Sequence, residues 1–317
     1  MKYINLRRSS LFLFSLLIVF LLTSSINGVS IFAADGGDKL KVTFLDIGQG
    51  DCEIIRTPSG KIIMIDAGDD RENAANGAIL PYFEANGIKK IDMLIMSHAH
   101  RDHIGGVLSL IPKIEIGAVY ENHASTTQMY AQILNMLKKK NIPVYKIWKG
   151  DKIDFGDGID VSILHPPAKW KTQPSFGMAA SGPADIAGMS VKELTSFHTP
   201  DVTSARGAGS VVINGADENN LNNFSIIVRM QYKSMVYQFG GDAEAPAEDE
   251  VLATVPESLI KTYVYKVCHH GSATSSTTAY LSKLRPEVSV ISCGVKNQFR
   301  HPNPSTLKNL EYYSKLI

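Results

Sequence analysis

The sequence predicts an α/β fold, a four-layer αββα sandwich in which two sheets pack face to face with helices outside. Three observations predict it. Each half of the chain opens with a meander of short strands and continues with alternating helices and strands. Runs such as Ile91 to Met96 are apolar enough to read as buried strands. At 317 residues and 44% hydrophobic composition, the chain can bury a core for one large domain or two intimately packed halves.

In the first half, Val42 to Ile47 and Cys52 to Arg56 are strands, and a Pro58-Ser59-Gly60 hairpin turn leads into Ile62 to Asp66. A helix is predicted from about Asn73 to Glu84, then the strand Ile91 to Met96, with Gly106 to Leu110 starting the next helical turn. Ile116 to Tyr120 is a strand. Thr127 to Lys140 carries Met129, Ile133, Leu134 and Leu137 at helical spacing, which makes an amphipathic helix. Val144 to Trp148 closes this half. The second half begins with a hairpin, Lys152 to Phe155 and Val161 to Leu164, around Gly156-Asp157-Gly158. Phe224 to Met230 pairs with Met235 to Phe239 across Gln231 to Ser234. Tyr263 to Val267 and Val288 to Ser292 are strands separated by a helix near Thr277 to Leu284. Asn303 reads as the N-cap of a last helix, with Pro304 at its first position. Residues 171 to 222 are polar and without periodicity, an insertion or lid. His198 within it has no metal-ligand spacing around it and is given no role.

The first 34 residues stand apart. Lys2, Arg7 and Arg8 precede an almost unbroken apolar run from Leu11 to Leu22, followed by Ser, Gly and Ala positions, the pattern of an export signal. Ala33-Ala34 suits cleavage, whereas the stretch from Leu11 to Ala33 is nearly long enough to remain as a membrane anchor. Residues 35–317 are then the working domain, secreted or held on the extracellular face of the membrane. Loss of the segment changes 32 basic against 31 acidic residues into 29 against 31, a net charge of −2. A protein that grips nucleic acid by bulk charge shows a basic surplus, so any such substrate here is held locally, by metals and a few side chains. Cys52, Cys268 and Cys293 are odd in number and lie in or beside apolar runs, which favours buried thiols over disulfides. Cys268 adjoins His269, but strand alternation points neighbours apart, so it is not counted as a zinc ligand.

Chemistry concentrates in residues 96 to 106, Met-Ser-His-Ala-His-Arg-Asp-His-Ile-Gly-Gly. His98, His100, Asp102 and His103 put four metal-competent side chains just beyond a strand, where a loop faces solvent. His98 and His100, two apart, can converge on one ion, and Asp102 and His103, further round the loop, are free to hold a second. The spacing suggests two metals.

This run resembles the metal-binding motif of the metallo-β-lactamase fold superfamily, whose fold is the four-layer sandwich. Leu45-Asp46-Ile47-Gly48-Gln49-Gly50-Asp51 is similar to the opening of the hydrolase domain of ComEC-type DNA-uptake proteins. Ile65-Asp66-Ala67-Gly68, Gly241-Asp242, His269-His270-Gly271-Ser272 and His301-Pro302 extend the likeness over residues 41 to about 310, except the insertion. Secreted teichoic-acid phosphorylcholine esterases share much of it.

The resemblance implies two divalent ions, zinc or else manganese. His98 and His100 would bind the first, Asp102 and His103 the second, and Asp242 would bridge them around a shared hydroxide. One of His269 and His270 would complete the second site, with the other touching substrate or orienting a ligand. The third ligand of the first metal is His165, or else Asn222 or Asn223. Asp66 would support the histidine loop rather than bind metal, with a similar place for Asp46. Asp46 and Asp51 flank the Gly48-Gln49-Gly50 turn. Ser272, Asn297 and His301 are candidate substrate contacts, and His301 is placed to give a proton to the leaving oxygen. Asp102 and Asp242 are thus expected to serve catalysis together with His301. The expected enzyme is a secreted dinuclear hydrolase of phosphoric esters, a phosphodiesterase or nuclease acting on DNA. The alternatives are a phosphorylcholine esterase acting on cell-wall polymer and a β-lactamase- or lactonase-like hydrolase. In that family a short hairpin usually follows the last helix; either this protein is shorter or the sequence is truncated at Ile317, and a truncated form is expected to expose apolar surface on its second sheet.

Overall fold

Successive residues along a strand point to opposite faces, and here both faces are covered, so neighbouring apolar residues enter different cores. Ile54 packs under one layer of helices while Ile55 packs between the sheets, and the same split separates Met64 from Ile63 and Leu94 from Ile95. In the second sheet, Leu164 and Tyr265 face the other helices while Ile163 and Val264 face the centre. Three cores separate four layers. The sandwich read from the sequence is therefore the architecture of the computed structural model, which describes residues 28–33, 39–122, 127–169 and 218–317.

Among the described residues the first sheet has seven strands in sequence order. The strands are β1 (Gly28–Ala33), β2 (Leu40–Leu45), β3 (Glu53–Arg56), β4 (Ile62–Ile65), β5 (Lys90–Ile95), β6 (Glu115–Glu121) and β7 (Val144–Lys146). β1 to β4 form an antiparallel meander, and β4 to β7 are parallel. A π-helical turn, Ala75–Ile79, runs into α1 (Leu80–Ala85), α2 (Arg101–Ile104) and α3 (Val107–Leu110) follow β5, and α4 (Gln128–Lys139) joins β6 to β7. Met129, Ile133 and Leu137 of α4 are buried as their spacing predicts, and Thr127 caps the helix by accepting from the Tyr130 backbone N–H.

The second sheet repeats the plan with β8 (Asp160–His165), β9 (Ile227–Tyr232), β10 (Met235–Phe239), β11 (Val264–Lys266) and β12 (Val288–Val290). β8, β9 and β10 are antiparallel, and β10, β11 and β12 are parallel. Its helices are α5 (Ala245–Thr254), α6 (Glu257–Ile260), α7 (Thr278–Leu284) and α8 (Pro304–Tyr313). Asn303 caps α8 by accepting from the Ser305 N–H at 3.0 Å.

Gly28–Ala33 lies at the end of the segment assigned to export, yet it pairs with β2 as an edge strand. Residues 1–27 fall outside the described set, as do residues 170–217, which hold most of the expected insertion and His198. Among the described residues no helix is long and apolar enough to cross a membrane. Lys152 to Phe155 is not a strand; only Lys152 bridges Ser162, because Asp154 turns the chain by accepting from the Gly156 N–H at 2.7 Å. The helices over 245–254 and 257–260 were not anticipated. All three cysteines are free thiols, Cys52 and Cys268 buried, and Cys268 packs in the core beneath α5 and α7 rather than beside the site. At the far edge Leu316 bridges Val288, and Tyr312, Leu316 and Ile317 are exposed.

Candidate metal centre

The loops that follow β4, β5, β10 and β11 meet at one rim of the sandwich, where parallel strands deliver their C-terminal ends. The histidine loop is stitched to its neighbour by backbone bonds. Ala67 N–H donates to the His103 carbonyl at 2.6 Å and Gly106 N–H to the Gly68 carbonyl at 2.8 Å. A Cβ on Gly106 would stand 2.0 Å from the Ala67 carbonyl oxygen, so only glycine permits this approach. Gly106→Ala is expected to destabilise the protein by about 1–3 kcal/mol through overpacking and to weaken metal loading, both readable by urea denaturation and metal analysis.

Two groups of ligand atoms, each lying within 4.8 Å of one another, share one carboxylate: His98, His100 and Asp242 form one, and Asp102, His103, His270 and Asp242 the other. Asp242 Oδ1 stands 3.1 Å from His103 Nε2 and 3.5 Å from His270 Nε2, while its Oδ2 is 3.8 Å from His98 Nε2. Asp102 Oδ2 is 3.2 Å from His270 Nε2. A third group, Asp51, Asp66 and His103, lies beneath.

The surroundings decide which nitrogen of each imidazole faces this cluster. Asp66 accepts from Ser97 through its backbone N–H at 2.7 Å and its hydroxyl at 2.5 Å, and its Oδ2 takes His103 Nδ1–H at 2.8 Å. The Ser97 proton is thereby committed, so Ser97 Oγ accepts from His98 Nδ1, 3.1 Å away. His270 Nδ1 donates to the Ser292 carbonyl at 3.0 Å, and His165 Nδ1 to the Ser225 carbonyl at 3.0 Å. In all four rings Nδ1 is the donor, which leaves the Nε2 lone pair as the ligand.

Charge follows the same geometry. Burial and the neighbouring His103 push the His98 pKa well below the imidazole range. Burial also opposes charge on His103 and His270, but Asp242 and its fellow carboxylates outweigh it, lifting His103 well above the usual value and His270 to about 10. His103 and His270 in turn hold the buried Asp242 well below the carboxylate range. Protons thus stand where cations would compete for the same lone pairs. The residues fit a pair of divalent ions: His103 Nε2 and Asp242 Oδ1 face each other, fully buried, with no hydrogen bond of proper geometry between them or to anything else.

The remaining expected residues divide. His270, not His269, sits within a ligand group. His269 Nε2 lies 3.8 Å from Asp242 Oδ2, but its Nδ1 is 3.1 Å from Glu244 Oε1 and 3.2 Å from Thr274 Oγ1. Both histidines have left-handed backbones, φ 49° and 53°. Two such non-glycine residues cost about 1–2 kcal/mol each, and the turn sends one ring into the cluster and the other to its mouth. His165 belongs to neither shared group; burial lowers its pKa to about 4, so it is a neutral donor ring at the end of β8. Asn222 and Asn223 point their amides at Glu244, 3.4 and 3.3 Å away. Asp46 turns inward on its own loop, accepting from the Gly48 N–H at 3.2 Å.

Ser272 is buried and bonds to Thr274 Oγ1 at 2.9 Å. Asn297 is absorbed by its own loop: it donates to the Gly294 and His301 carbonyls at 2.9 and 2.7 Å and accepts from the His301 N–H at 2.9 Å. Its side chain thereby clamps the His301 backbone. The His301 ring lies 5.6 Å from that of His269 and 6.5 Å from that of His270, and burial together with those two rings lowers its pKa.

The sequence reading missed a buried set under His270. Lys266 Nζ contacts Asp51 Oδ2 at 2.7 Å, and Asp51 Oδ1 is 3.3 Å from His270 Nδ1. A lysine between Tyr265 and Val267 in an apolar strand was the available signal.

Residues 45–175 match the model of the Metallo-beta-lactamase superfamily. That stretch of the chain is what the metallo-beta-lactamase domain model recognises. The chain is 25% identical over 290 residues to ComE operon protein 3 of Bacillus subtilis, covering 86% of this chain and 31% of that protein. It is 27% identical over 280 residues to Recombination protein 2 of Haemophilus influenzae, covering 87% and 27%. The ComEC-type resemblance read from the motifs agrees with these matches, and the chain spans less than a third of the length of either relative. Among solved structures, a metal-dependent hydrolase of the beta-lactamase superfamily is similar at 14% identity and a TM-score of 0.45, covering 85% of this chain and 88% of that one.

Proposed function

We propose that this metallo-beta-lactamase superfamily chain is a secreted, dinuclear metal-dependent phosphodiesterase acting on DNA. The observation that carries the reading is the sharing of Asp242 by two groups of histidine and carboxylate ligands. Its position suits a bridge, because one carboxylate between two cations lowers their mutual repulsion. Imidazole and carboxylate donors suit zinc, and manganese accepts the same set. When bound, such a pair supplies an activated water and stabilises charge on the phosphoryl oxygens.

The chain's own residues do the rest. His98, His100 and Asp242 would hold the first ion, and Asp102, His103, His270 and Asp242 the second, with His165 the next imidazole available to the first. Asp66 and Ser97 fix the rings of His103 and His98, and Glu244 fixes that of His269. His301 faces the mouth with its backbone clamped by Asn297. Its lowered pKa keeps it neutral until an anionic phosphodiester alongside raises it, which places the proton where the leaving oxygen needs one. Similarity to proteins of DNA competence supports DNA over other phosphodiesters.

The test is direct. Purified protein is incubated with labelled single-stranded DNA, a phosphorylcholine ester and a chromogenic β-lactam, with and without chelator. The expected result is cleavage of DNA alone, abolished by chelator and restored by zinc or manganese. Cleavage of the choline ester alone would move the function to cell-wall modification, and hydrolysis of the β-lactam alone would move it to amide chemistry.

A further inference from the structure

We infer that the loop from Gly294 to His301 is a platform on which a base of single-stranded nucleic acid stacks, with Phe299 as the stacking ring and Lys296 and Arg300 as phosphate contacts. This rests on the phosphodiesterase reading and names how that site takes its substrate.

The loop is rigid where a chance surface loop would not be. Gly294 N–H donates to Gln49 Oε1 at 3.0 Å, tying the loop to the Gly48-Gln49-Gly50 turn. Asn297 closes it from within by three side-chain bonds, and Arg300 N–H donates to the Asn297 carbonyl at 3.2 Å. Lys296 and Arg300 both hold left-handed backbones with φ 59°, a conformation that needs such clamping. A clamped loop loses little freedom when a ligand docks.

What the loop presents is apolar and cationic together. Phe299 is 54% exposed and Val295 94%, although each would be favoured in a core. The Phe299 ring stacks on His301, centroids 5.8 Å apart and planes 15° apart, and His301 lies in turn 6.5 Å from His270 at 32°. A file of rings, the outer pair stacked and the inner pair tilted, therefore leads from the metal ligands outward, and the last ring is half-exposed. Lys296 and Arg300 are exposed beside it, and among the described residues no carboxylate pairs with either.

Charge chooses the occupant. A quaternary ammonium is held by aromatic faces with anions nearby, and two cations beside the ring repel it. An anionic strand whose bases offer flat faces satisfies both features, and base stacking on aromatic side chains tolerates any sequence. The local cations also answer the lack of basic surplus in the whole chain, which excludes a broad electrostatic grip.

The experiment compares two labelled strands of equal length, an oligothymidylate and a strand of abasic sites, with the metal-loaded full chain. Wild type is expected to cleave the base-bearing strand with kcat/KM about tenfold or more above the abasic one. Phe299→Ala is expected to erase that preference and Phe299→Tyr to restore it. The double variant Lys296→Ala/Arg300→Ala is expected to weaken both strands alike and to flatten the salt dependence. Equal cleavage of both strands by wild type, or an unchanged preference in Phe299→Ala, overturns the platform while leaving the phosphodiesterase reading intact. If neither strand is cut, that reading fails by itself. The same strands, compared by fluorescence anisotropy on wild type and Phe299→Ala, then decide the platform by the same preference.

Discussion

Asp242→Asn is expected to lower cleavage of single-stranded DNA by about a thousandfold or more and to reduce the metal retained on dialysis. Asparagine keeps the shape of the side chain, so the loop after β10 should survive, with Asp242 N–H still donating to Ser225 Oγ at 3.1 Å. What is lost is the second anionic oxygen. In the wild type Oδ1 faces His103 and His270 while Oδ2 faces His98 and His269. An amide offers one oxygen and turns N–H donors toward the other rings, whose lone pairs could no longer share a cation with it. Circular dichroism should report an unchanged fold. Turnover within tenfold of wild type would remove the shared carboxylate from the chemistry.

Lys266→Ala is expected to give the largest loss of stability, about 3–5 kcal/mol. The ammonium is 1% exposed, pairs with the equally buried Asp51 and donates also to the Val267 carbonyl at 3.2 Å. Burial disfavours its charge, but Asp51 and Glu53 outweigh burial and raise its pKa above the lysine range, so it is charged in the fold. Without it the buried Asp51 carboxylate loses its ammonium partner, and the contact of Asp51 with His270 is unsettled. A control is Lys283→Ala, whose partner Glu257 at 3.0 Å is exposed; that pair contributes about 0–1 kcal/mol. Urea denaturation of both variants checks the contrast, and a Lys266→Ala midpoint as mild as the control's would contradict it.

Legibility in the sequence followed the range of the interaction. His98, His100, Asp102 and His103 lie within six positions, so their convergence is a property of one loop and could be read directly. The layers were legible too, because period-two burial in Ile54-Ile55 or Ile163-Leu164 is local. Motif resemblance carried Asp242, which no spacing within the second half would single out. The pair Asp51 and Lys266, separated by 215 residues, could not be read, since only the packed sheets bring them together. The choice between His269 and His270 was open for a related reason: alternation along a strand does not apply where both residues take left-handed backbones. The helix over 245–254 escaped because its apolar residues are sparse among Pro246, Glu248, Asp249 and Glu250, and its packing rests on Ala247 and Val251 alone of its fully buried apolar side chains. The bonds by which Asn297 closes its own turn, two donated and one accepted, were not legible either, since they depend on the folded loop.

The central claim is that two cations share Asp242, and anomalous diffraction from crystals of the metal-loaded protein tests it most directly. The expected map holds two peaks about 3.5–4 Å apart, one beside His98 and His100 and the other beside Asp102, His103 and His270, with the Asp242 carboxylate between them. A single peak, or two peaks of which one lies away from Asp242, would contradict the account.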